Sequence, residues 1–243
     1  MATIQRIINY WLPHPPSVTA DLSSCHYLIL DGTFIEHRKG LFAAMNAENN
    51  TVVYGVVGVS EGSTDLNRFC RSMAERGASP KSATVDGNPH LTRALRLFWP
   101  EITIQRCLVH IQRQGLSWCR RYPKRADAKH LRKLFLRVSR IHAQEERDQF
   151  LEDLYQWEHH YGNRISKEPE RGRVFSDIKR ARSMLLAAVP DMFHYLQDPR
   201  IPNSTNGLEG YFGRLKQKYR QHCGMAPHHR QDYFLWYFHL CPR

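Results

Sequence analysis

Three acidic residues stand where a metal-dependent nuclease would need them. Asp31 and Asp86 each close a short apolar run and precede a glycine, and Glu209 lies near the start of a helix-like stretch. Carboxylates at the ends of two buried strands and on one helix can converge on Mg²⁺, which prefers hard oxygen ligands. Two such ions roughly 4 Å apart hold the attacking and leaving oxygens of an in-line phosphoryl displacement. Either Asp-Gly pair alone is better explained as a turn, so the interpretation depends on all three residues together.

The positive charge of the chain is concentrated in one segment. The 243 residues carry 35 Lys and Arg against 23 Asp and Glu, which gives a net charge of +12. Segment 106–140 contains eleven basic residues and one acid, Asp127, and therefore supplies +10 of the +12. A concentrated basic patch is the usual electrostatic signature of a nucleic-acid-binding surface. A solvated helix face is the alternative interpretation, but the position directly after the Asp86 segment favours contact with phosphate.

Composition excludes several classes of protein. Hydrophobic residues make up 42% of the chain, which is enough for a packed core and argues against wholesale disorder. No run approaches the roughly 20 apolar residues that span a bilayer, and the first residues lack the apolar stretch of a secretory signal. The cysteines are scattered without a disulfide framework, as is typical of free thiols in a reducing cytosol; they are Cys25, Cys70, Cys107, Cys119, Cys223 and Cys241. We therefore expect a cytoplasmic protein without membrane contact.

Hydrophobic periodicity predicts an alternation of strands and helices in the first part of the chain. The predicted strands are 26–31, 41–47, 51–59, 82–86 and 102–104, and the predicted helices are 65–76 and 89–98. An Asn-rich turn at 48–50 favours an antiparallel meander of the first three strands. The fourth strand follows a helix and is expected to run parallel to the first. This order predicts an α/β fold of the ribonuclease H-like type, a mixed sheet flanked by helices.

A long helical segment interrupts the α/β pattern. Beyond residue 106 the apolar residues recur at helical spacing, and no strand-like run occurs before about residue 197. We therefore predict an all-helical insertion before the last catalytic helix, the one that carries Glu209. The predicted division of the chain is an N-terminal arm at 1–25, a first part of the catalytic core at 26–110, the insertion at 111–200, and a last core part with a C-terminal tail at 201–243.

Four short elements resemble those of one enzyme family. They are Leu-Asp-Gly-Thr at 30–33, Val-Asp-Gly at 85–87, Gln-Arg-Cys-Leu-Val-His at 105–110 and Asn-Gly-Leu-Glu at 206–209. Together they resemble the catalytic part of DDE transposases of the Mutator-like group, which includes many bacterial insertion-sequence transposases. The resemblance covers roughly residues 26–220, and the Gln-Arg-Cys-x2-His element is its most specific part. The family also has a ribonuclease H-like fold with a helical insertion between the second Asp and the Glu.

The resemblance implies an activity and the residues that perform it. Asp31, Asp86 and Glu209 correspond to catalytic ligands of two Mg²⁺ or Mn²⁺ ions, and Cys107 and His110 correspond to a Cys-x2-His signature near the active site. The implied reaction is cleavage of DNA at insertion-sequence ends, followed by attack of the freed 3′-hydroxyl on target DNA. DNA is then the partner, and the implied assembly is a homo-oligomer on DNA, associated with the nucleoid of a bacterial or archaeal cell.

Two other functions are compatible with the same residues. One is a ribonuclease H-like nuclease that acts on branched or hybrid substrates, and the other is an inactive DNA-binding remnant of a transposase. Members of the family usually carry an additional N-terminal region that recognises the ends of the element. Residues 1–25 are too short to fold as such a domain, so we expect the chain alone to have little preference for those ends.

Further residues are candidates for DNA contact. Trp118 and Trp157 could stack on an unpaired base, although core packing is the simpler interpretation, above all for Trp157. A solvated helix face is the alternative for the cations that follow Glu209. Eight basic residues are candidates for phosphate contact: Arg106, Arg113, Arg132, Lys133, Arg137, Arg214, Lys216 and Lys218.

Cys107 and His110 have more than one possible role. The histidine either donates a hydrogen bond to a phosphate or to a catalytic carboxylate, or it is a partly buried side chain that supports the triad. A structural zinc site would need four ligands. No second Cys-x2-Cys or His-x3-His pair is clearly placed to complete one, and the further ligands that could assemble it are Cys119, His222, Cys223, His228 and His229.

Overall fold

The computed structural model of the chain describes residues 2–16, 21–35, 40–167, 172–222, 225–226 and 229–243. The chain divides into two compact units: unit 1 comprises Met1–Ile104 and Arg200–Arg243, and unit 2 comprises Gln105–Pro199. Among the helices of the described residues, none combines the length and the hydropathy needed to cross a membrane.

A five-stranded mixed sheet forms the centre of unit 1. Its strands are β1 (Tyr27–Phe34), β2 (Gly40–Asn46), β3 (Thr51–Val59), β4 (Ser82–Val85) and β5 (Thr103–Arg106), and the boundary between the units falls within β5. The strand order is β3-β2-β1-β4-β5. Strand β2 pairs antiparallel with β1 and β3, whereas β4 pairs parallel with β1. The predicted meander and the parallel fourth strand are therefore confirmed.

Helices cover both faces of this sheet. The helices of the described residues are α1 (Ala2–Trp11), α2 (Ser63–Glu75), α3 (Pro89–Phe98), α4 (Leu108–Cys119), α5 (Ala126–Val138), α6 (Gln144–Trp157), α7 (Asn163–Lys167), α8 (Gly172–Ala188), α9 (Asn206–Gln221) and α10 (Arg230–Leu240). Side chains alternate across a strand, so Leu28 and Leu30 of β1 share a core with α2 and α3. Ile29 points to the other face, where it shares a core with α9 and α10. The prediction of a mixed sheet flanked by helices is confirmed.

Two predictions about unit 1 were wrong in detail. Strand β1 continues to Phe34, because β2 pairs with it as far as Gly40, so Asp31 lies inside the strand and not at its end. The segment predicted as a C-terminal tail contains α10, whose Phe234 and Phe238 are buried. This helix lies close to β3, since a Cβ on Gly55 would come within 2.7 Å of Phe238.

Beyond β5, the regular elements among the described residues of unit 2 are all helices, which agrees with the spacing of the apolar residues. Helices α4, α5, α6 and α8 contribute to one core that includes Leu131, Phe135, Phe150 and Leu185. Helix α6 continues through a π-helical turn, Glu158–Gly162, into α7. The start of α6 is capped by Glu146, whose carboxylate accepts hydrogen bonds from the backbone N–H groups of His142 and Ala143 at 2.7 and 3.3 Å.

We predict opposite effects on stability for two Gly→Ala substitutions within helices. Gly115 of α4 lies against the buried ring of Phe135, where a Cβ would come within 2.2 Å of the ring. Overpacking of this kind costs about 1–3 kcal/mol, so Gly115→Ala should lower the midpoint of thermal unfolding. Gly213 of α9 has open space around its Cα, so Gly213→Ala should stabilise by about 0.5–1 kcal/mol. Equal shifts of the two midpoints would contradict the packing of α4 on α5.

Candidate functional site

The register of the parallel strands brings two aspartates to neighbouring positions. In the β1–β4 pairing, each of the three paired residues of β1 faces the residue 55 positions later, as Ile29 faces Thr84. The same offset relates Asp31 to Asp86, which directly follows β4. Adjacent strands lie about 4.8 Å apart, and the offset puts the two aspartates on neighbouring chain segments just beyond the last paired residues, Ile29 and Thr84. Asp31 is only 8% exposed.

Both aspartates project towards the face of the sheet that α9 covers. Side chains two residues apart on a strand point to the same face, so Asp31 shares the face of Ile29, which packs with α9. Along β4, Ala83 and Val85 pack with α2 and α3, and the same alternation, continued one residue beyond the strand, directs Asp86 to the opposite face.

A hydrogen bond and a close approach of Gly207 place the start of α9 near the strands. The hydroxyl of Thr84 donates a hydrogen bond of 2.7 Å to the carbonyl oxygen of Pro202 in the segment that leads into α9. A Cβ on Gly207 would lie 3.4 Å from Sδ of Met45 and 3.7 Å from Cδ1 of Ile29. Glu209 is in the first turn of this helix, which packs on the same face of the sheet as Ile29.

Local hydrogen bonds orient the carboxylates. Oδ1 of Asp31 accepts from the backbone N–H of Gly32 at 2.8 Å, and Oδ1 of Asp86 accepts from the N–H of Asn88 at 2.9 Å. The hydroxyl of Thr205, the residue before α9, donates to Oε1 of Glu209 at 3.5 Å. Each carboxylate is therefore held by a residue of its own turn or helix start.

A fourth carboxylate, that of Glu61, was missed by sequence reasoning. It lies in the segment between β3 and α2, and a Cβ on Gly32 would come within 3.2 Å of its Oε1. Gly32 alternates with Asp31 along β1, so this contact is on the α2 and α3 face of the sheet. The side chain of Asn88 joins the same region, because its Nδ2 donates to the carbonyl oxygen of Glu61 at 3.1 Å. Burial, and next the negative charge of Asp86, raise the pKa of Glu61. No periodicity marks this loop residue, so only the tertiary structure reveals it.

Asp31, Asp86 and Glu209 suit a hard divalent cation in chemical type, because all three offer carboxylate oxygen. Among the described residues, however, no three His, Cys, Asp or Glu side chains are arranged as a group that could hold a metal ion. Cys119, His222 and His229, considered as zinc ligands, are therefore not part of such a group among the described residues. Cys223 and His228 lie outside the described residues.

Cys107 and His110 stand at the start of α4 in unit 2. Cys107 is buried and precedes the helix, and its carbonyl oxygen accepts from the N–H of Ile111 at 3.2 Å. His110 is half-buried and follows three residues later. At this spacing the two side chains are neighbours on one face of the helix start.

The candidate DNA-binding cations differ in their surroundings. Arg137 of α5 forms an ion pair with Asp153 of α6, so its charge is already balanced. Lys133 is exposed on α5, and Arg113 is exposed on α4. On α9, Arg214 and Lys218 are exposed, and Lys216 is half-buried. Arg106 and Arg132 are half-buried, at the end of β5 and on α5.

The two tryptophans considered for base stacking belong to the core of unit 2. Trp157 is 4% exposed, and its indole N–H donates to the carbonyl oxygen of Asp127 at 3.0 Å. Trp118 is half-buried against the same core. Core packing, the simpler interpretation, is confirmed for Trp157 and describes Trp118 as well.

We predict a pH-dependent stabilisation by Glu61→Gln. Because the pKa of Glu61 is raised in the folded chain, its protonation stabilises the fold below the ordinary carboxyl pKa, and this contribution is lost as pH rises through the raised value. The difference in unfolding midpoint, variant minus parent, should therefore be larger at pH 7 than at pH 4. Glu101→Gln, at an exposed carboxylate of the same unit, controls for loss of one charge. A difference independent of pH would contradict the raised pKa of Glu61 and the burial that is its first cause.

Comparison with known families agrees with these features. The family profile described as Transposase, Mutator family matches residues 27–222. The match includes all three candidate carboxylates and the Cys-x2-His element, and it spans well over half of the chain. Comparison with curated proteins gave no match. The extent of the family match establishes that the chain belongs to the Mutator family of transposases.

Proposed function

We propose that unit 1 is the ribonuclease H-like catalytic core of a DDE transposase, which cleaves DNA at insertion-sequence ends and transfers the freed strand. One observation carries the proposal: the 55-residue offset of the β1–β4 pairing relates Asp31 to Asp86, on the face where α9 carries Glu209. The strand order, with an antiparallel meander followed by a parallel β4, supports the ribonuclease H-like assignment. Membership in a transposase family supports the reaction class.

Asp31, Asp86 and Glu209 are the residues that would hold Mg²⁺ or Mn²⁺ in this proposal. Three carboxylates are a suitable donor set for these ions. The negative charge of Asp86 contributes, after burial, to the raised pKa of Glu61, and a cation bound at Asp86 would balance that charge. When bound, two such ions supply Lewis-acid stabilisation of the attacking and leaving oxygens of the phosphodiester.

The contribution of the chain itself is orientation. The N–H groups of Gly32 and Asn88 hold one oxygen of Asp31 and of Asp86, respectively. These hydrogen bonds limit rotation of each carboxylate group, and so they also fix the direction in which its second oxygen points. Carboxylates that are oriented before the substrate binds lower the activation barrier, because they do not have to reorient during the reaction.

Cys107 and His110 take a supporting place in the proposal. Burial of Cys107 at the start of α4 suits packing, and half-burial of His110 leaves part of its ring accessible. We assign the histidine, and not the cysteine, as the member of this pair that contacts a phosphate or a carboxylate during the reaction. The basic residues of α4, α5 and α9 would bind the DNA backbone.

We predict that Asp31→Asn, Asp86→Asn and Glu209→Gln each lower DNA strand cleavage by about 10²-fold or more, since each removes a preorganised charged group. The assay is nicking of a supercoiled plasmid that carries the gene with its flanking DNA, in the presence of Mg²⁺ or Mn²⁺. Binding of Mn²⁺, measured by electron paramagnetic resonance, should weaken in the same variants.

Glu101→Gln, which removes an exposed carboxylate of the same unit, should cleave and bind Mn²⁺ like the parent. Full cleavage by Asp86→Asn would refute the assignment. Cleavage of an RNA–DNA hybrid in preference to the plasmid would instead favour a ribonuclease H-like nuclease, and weak Mn²⁺ binding without any cleavage by the parent would favour an inactive remnant.

We also predict that replacement of α5 cations changes the salt dependence of DNA binding. The double variant Arg132→Ala, Lys133→Ala should flatten the slope of log affinity against log salt by about 0.9 for each phosphate that it no longer neutralises. Arg147→Ala is the matched control, because Arg147 lies on α6 and is paired with Asp148 at 2.7 Å. An unchanged slope in the double variant would make this part of α5 a solvated helix face.

A further inference from the structure

The loop between α4 and α5 combines positive charge with an exposed aromatic ring. This basic loop, residues 120–125, reads Arg-Arg-Tyr-Pro-Lys-Arg. Its Tyr122 is 79% exposed, which is unusual for a ring of this size. The tryptophans of unit 2, by contrast, pack in or against its core.

Only part of the charge of the basic loop is balanced within the chain. Arg125 forms a bidentate pair with the buried Asp127, with Nη2 to Oδ2 at 2.6 Å, and Arg120 lies 3.8 Å from Asp177. Within the described part of the chain, Arg121 and Lys124 form no ion pair. Two cations therefore flank the exposed ring without a carboxylate partner among the described residues.

The ends of the basic loop are fixed. At one end, Cys119 is buried, and Arg120 adopts φ 65° and ψ 167°, a conformation that only glycine adopts without strain. At the other end, the guanidinium of Arg125 lies 5.3 Å from the ring centre of Phe175, in addition to its pair with Asp127. Pro123 further restricts the residue before it to extended backbone. Tyr122 is thus presented from a short segment anchored on both sides.

One face of the Tyr122 ring is covered and the rest of the ring is open. The guanidinium of Arg121 lies 5.4 Å from the ring centre, and no other aromatic ring of the described residues stacks on it. A guanidinium over one face leaves the opposite face for a second planar group. The backbone of Arg120, two residues before Tyr122, is strained. Strain of this kind in a non-glycine residue is concentrated at functional positions.

We propose that Tyr122 is a stacking platform for an unpaired DNA base, with Arg121 and Lys124 contacting the phosphates on either side of it. The inference rests on the proposed function only in taking DNA as the partner, and it concerns unit 2 alone. Nucleic acids combine a planar base with a phosphate on each side, which matches an open ring between two cations. An acidic protein surface would pair with Arg121 and Lys124 but would have no planar group to stack on the open face of Tyr122.

The experiment compares three fluorescent probes in the presence of EDTA: a 16-nucleotide oligothymidine, a 16-nucleotide abasic sugar-phosphate strand, and a 16-base-pair duplex. The full chain should bind the oligothymidine more tightly than the abasic strand. Tyr122→Ala should weaken oligothymidine binding about tenfold, as expected from loss of base stacking, and should leave abasic-strand and duplex binding unchanged. Tyr122→Phe should bind like the parent, because it keeps the ring.

Two further variants separate stacking from charge. Tyr155→Ala is the matched control, since Tyr155 is 63% exposed on the acidic helix α6 of the same unit, and it should bind all three probes like the parent. The double variant Arg121→Ala, Lys124→Ala should weaken binding of both single-stranded probes and flatten their salt dependence.

Three results would overturn the proposal. They are the absence of oligothymidine binding by the parent, unchanged oligothymidine binding by Tyr122→Ala, and an equal loss on the oligothymidine and the abasic strand. A different result is that polyglutamate competes with oligothymidine as strongly as the abasic strand does, while oligothymidine and the abasic strand bind equally well. That result would assign the basic loop to an acidic protein partner. Loss of strand cleavage in the triad variants leaves these binding results unaffected, so the failure of one proposal is distinguishable from the failure of the other.

Discussion

The parallel pairing of β1 with β4 is the constraint on which the candidate site depends. These two strands are separated in sequence by β2, β3 and α2, yet the 55-residue offset of their pairing, continued two residues beyond Ile29 and Thr84, relates Asp31 to Asp86. A slip of one residue would turn one aspartate to the opposite face of the sheet, since side chains alternate along a strand. Leu28, Leu30, Ala83 and Val85 share one core on the other face, and their burial is what fixes the register.

The fold was predictable where the local pattern decides the structure. Strand β3 and helix α3 have strong periodicity and clear turn signals, and both were predicted with the bounds that the structure shows. The end of β1 was not predictable, because pairing with β2 extends it beyond the apolar run. Helix α10 was missed because its apolar residues occur on all sides and contact partners distant in sequence, such as Gly55.

Some residues of the candidate site could be predicted from local sequence, and one could be found only from the tertiary structure. Asp31, Asp86 and Glu209 were proposed from their positions at strand and helix ends and from a family resemblance, whereas Glu61 has no such local signature. Its carboxylate reaches the region of Gly32 only through tertiary structure. Charge counting also overstated the cations available in unit 2, since Arg137 is balanced by Asp153 and Arg125 by Asp127.

The hydrogen bond from Thr84 to Pro202 joins residues 118 positions apart in the chain. Between them the ribosome must synthesise all of unit 2, Gln105–Pro199, which takes about 5–20 s at ordinary translation rates. During that interval the nascent chain already contains Asp31 and Asp86 but has no Glu209 to complete the set. If the three carboxylates act together, the order of synthesis protects the DNA of the cell, because a nascent or prematurely terminated chain carries an unfinished nuclease.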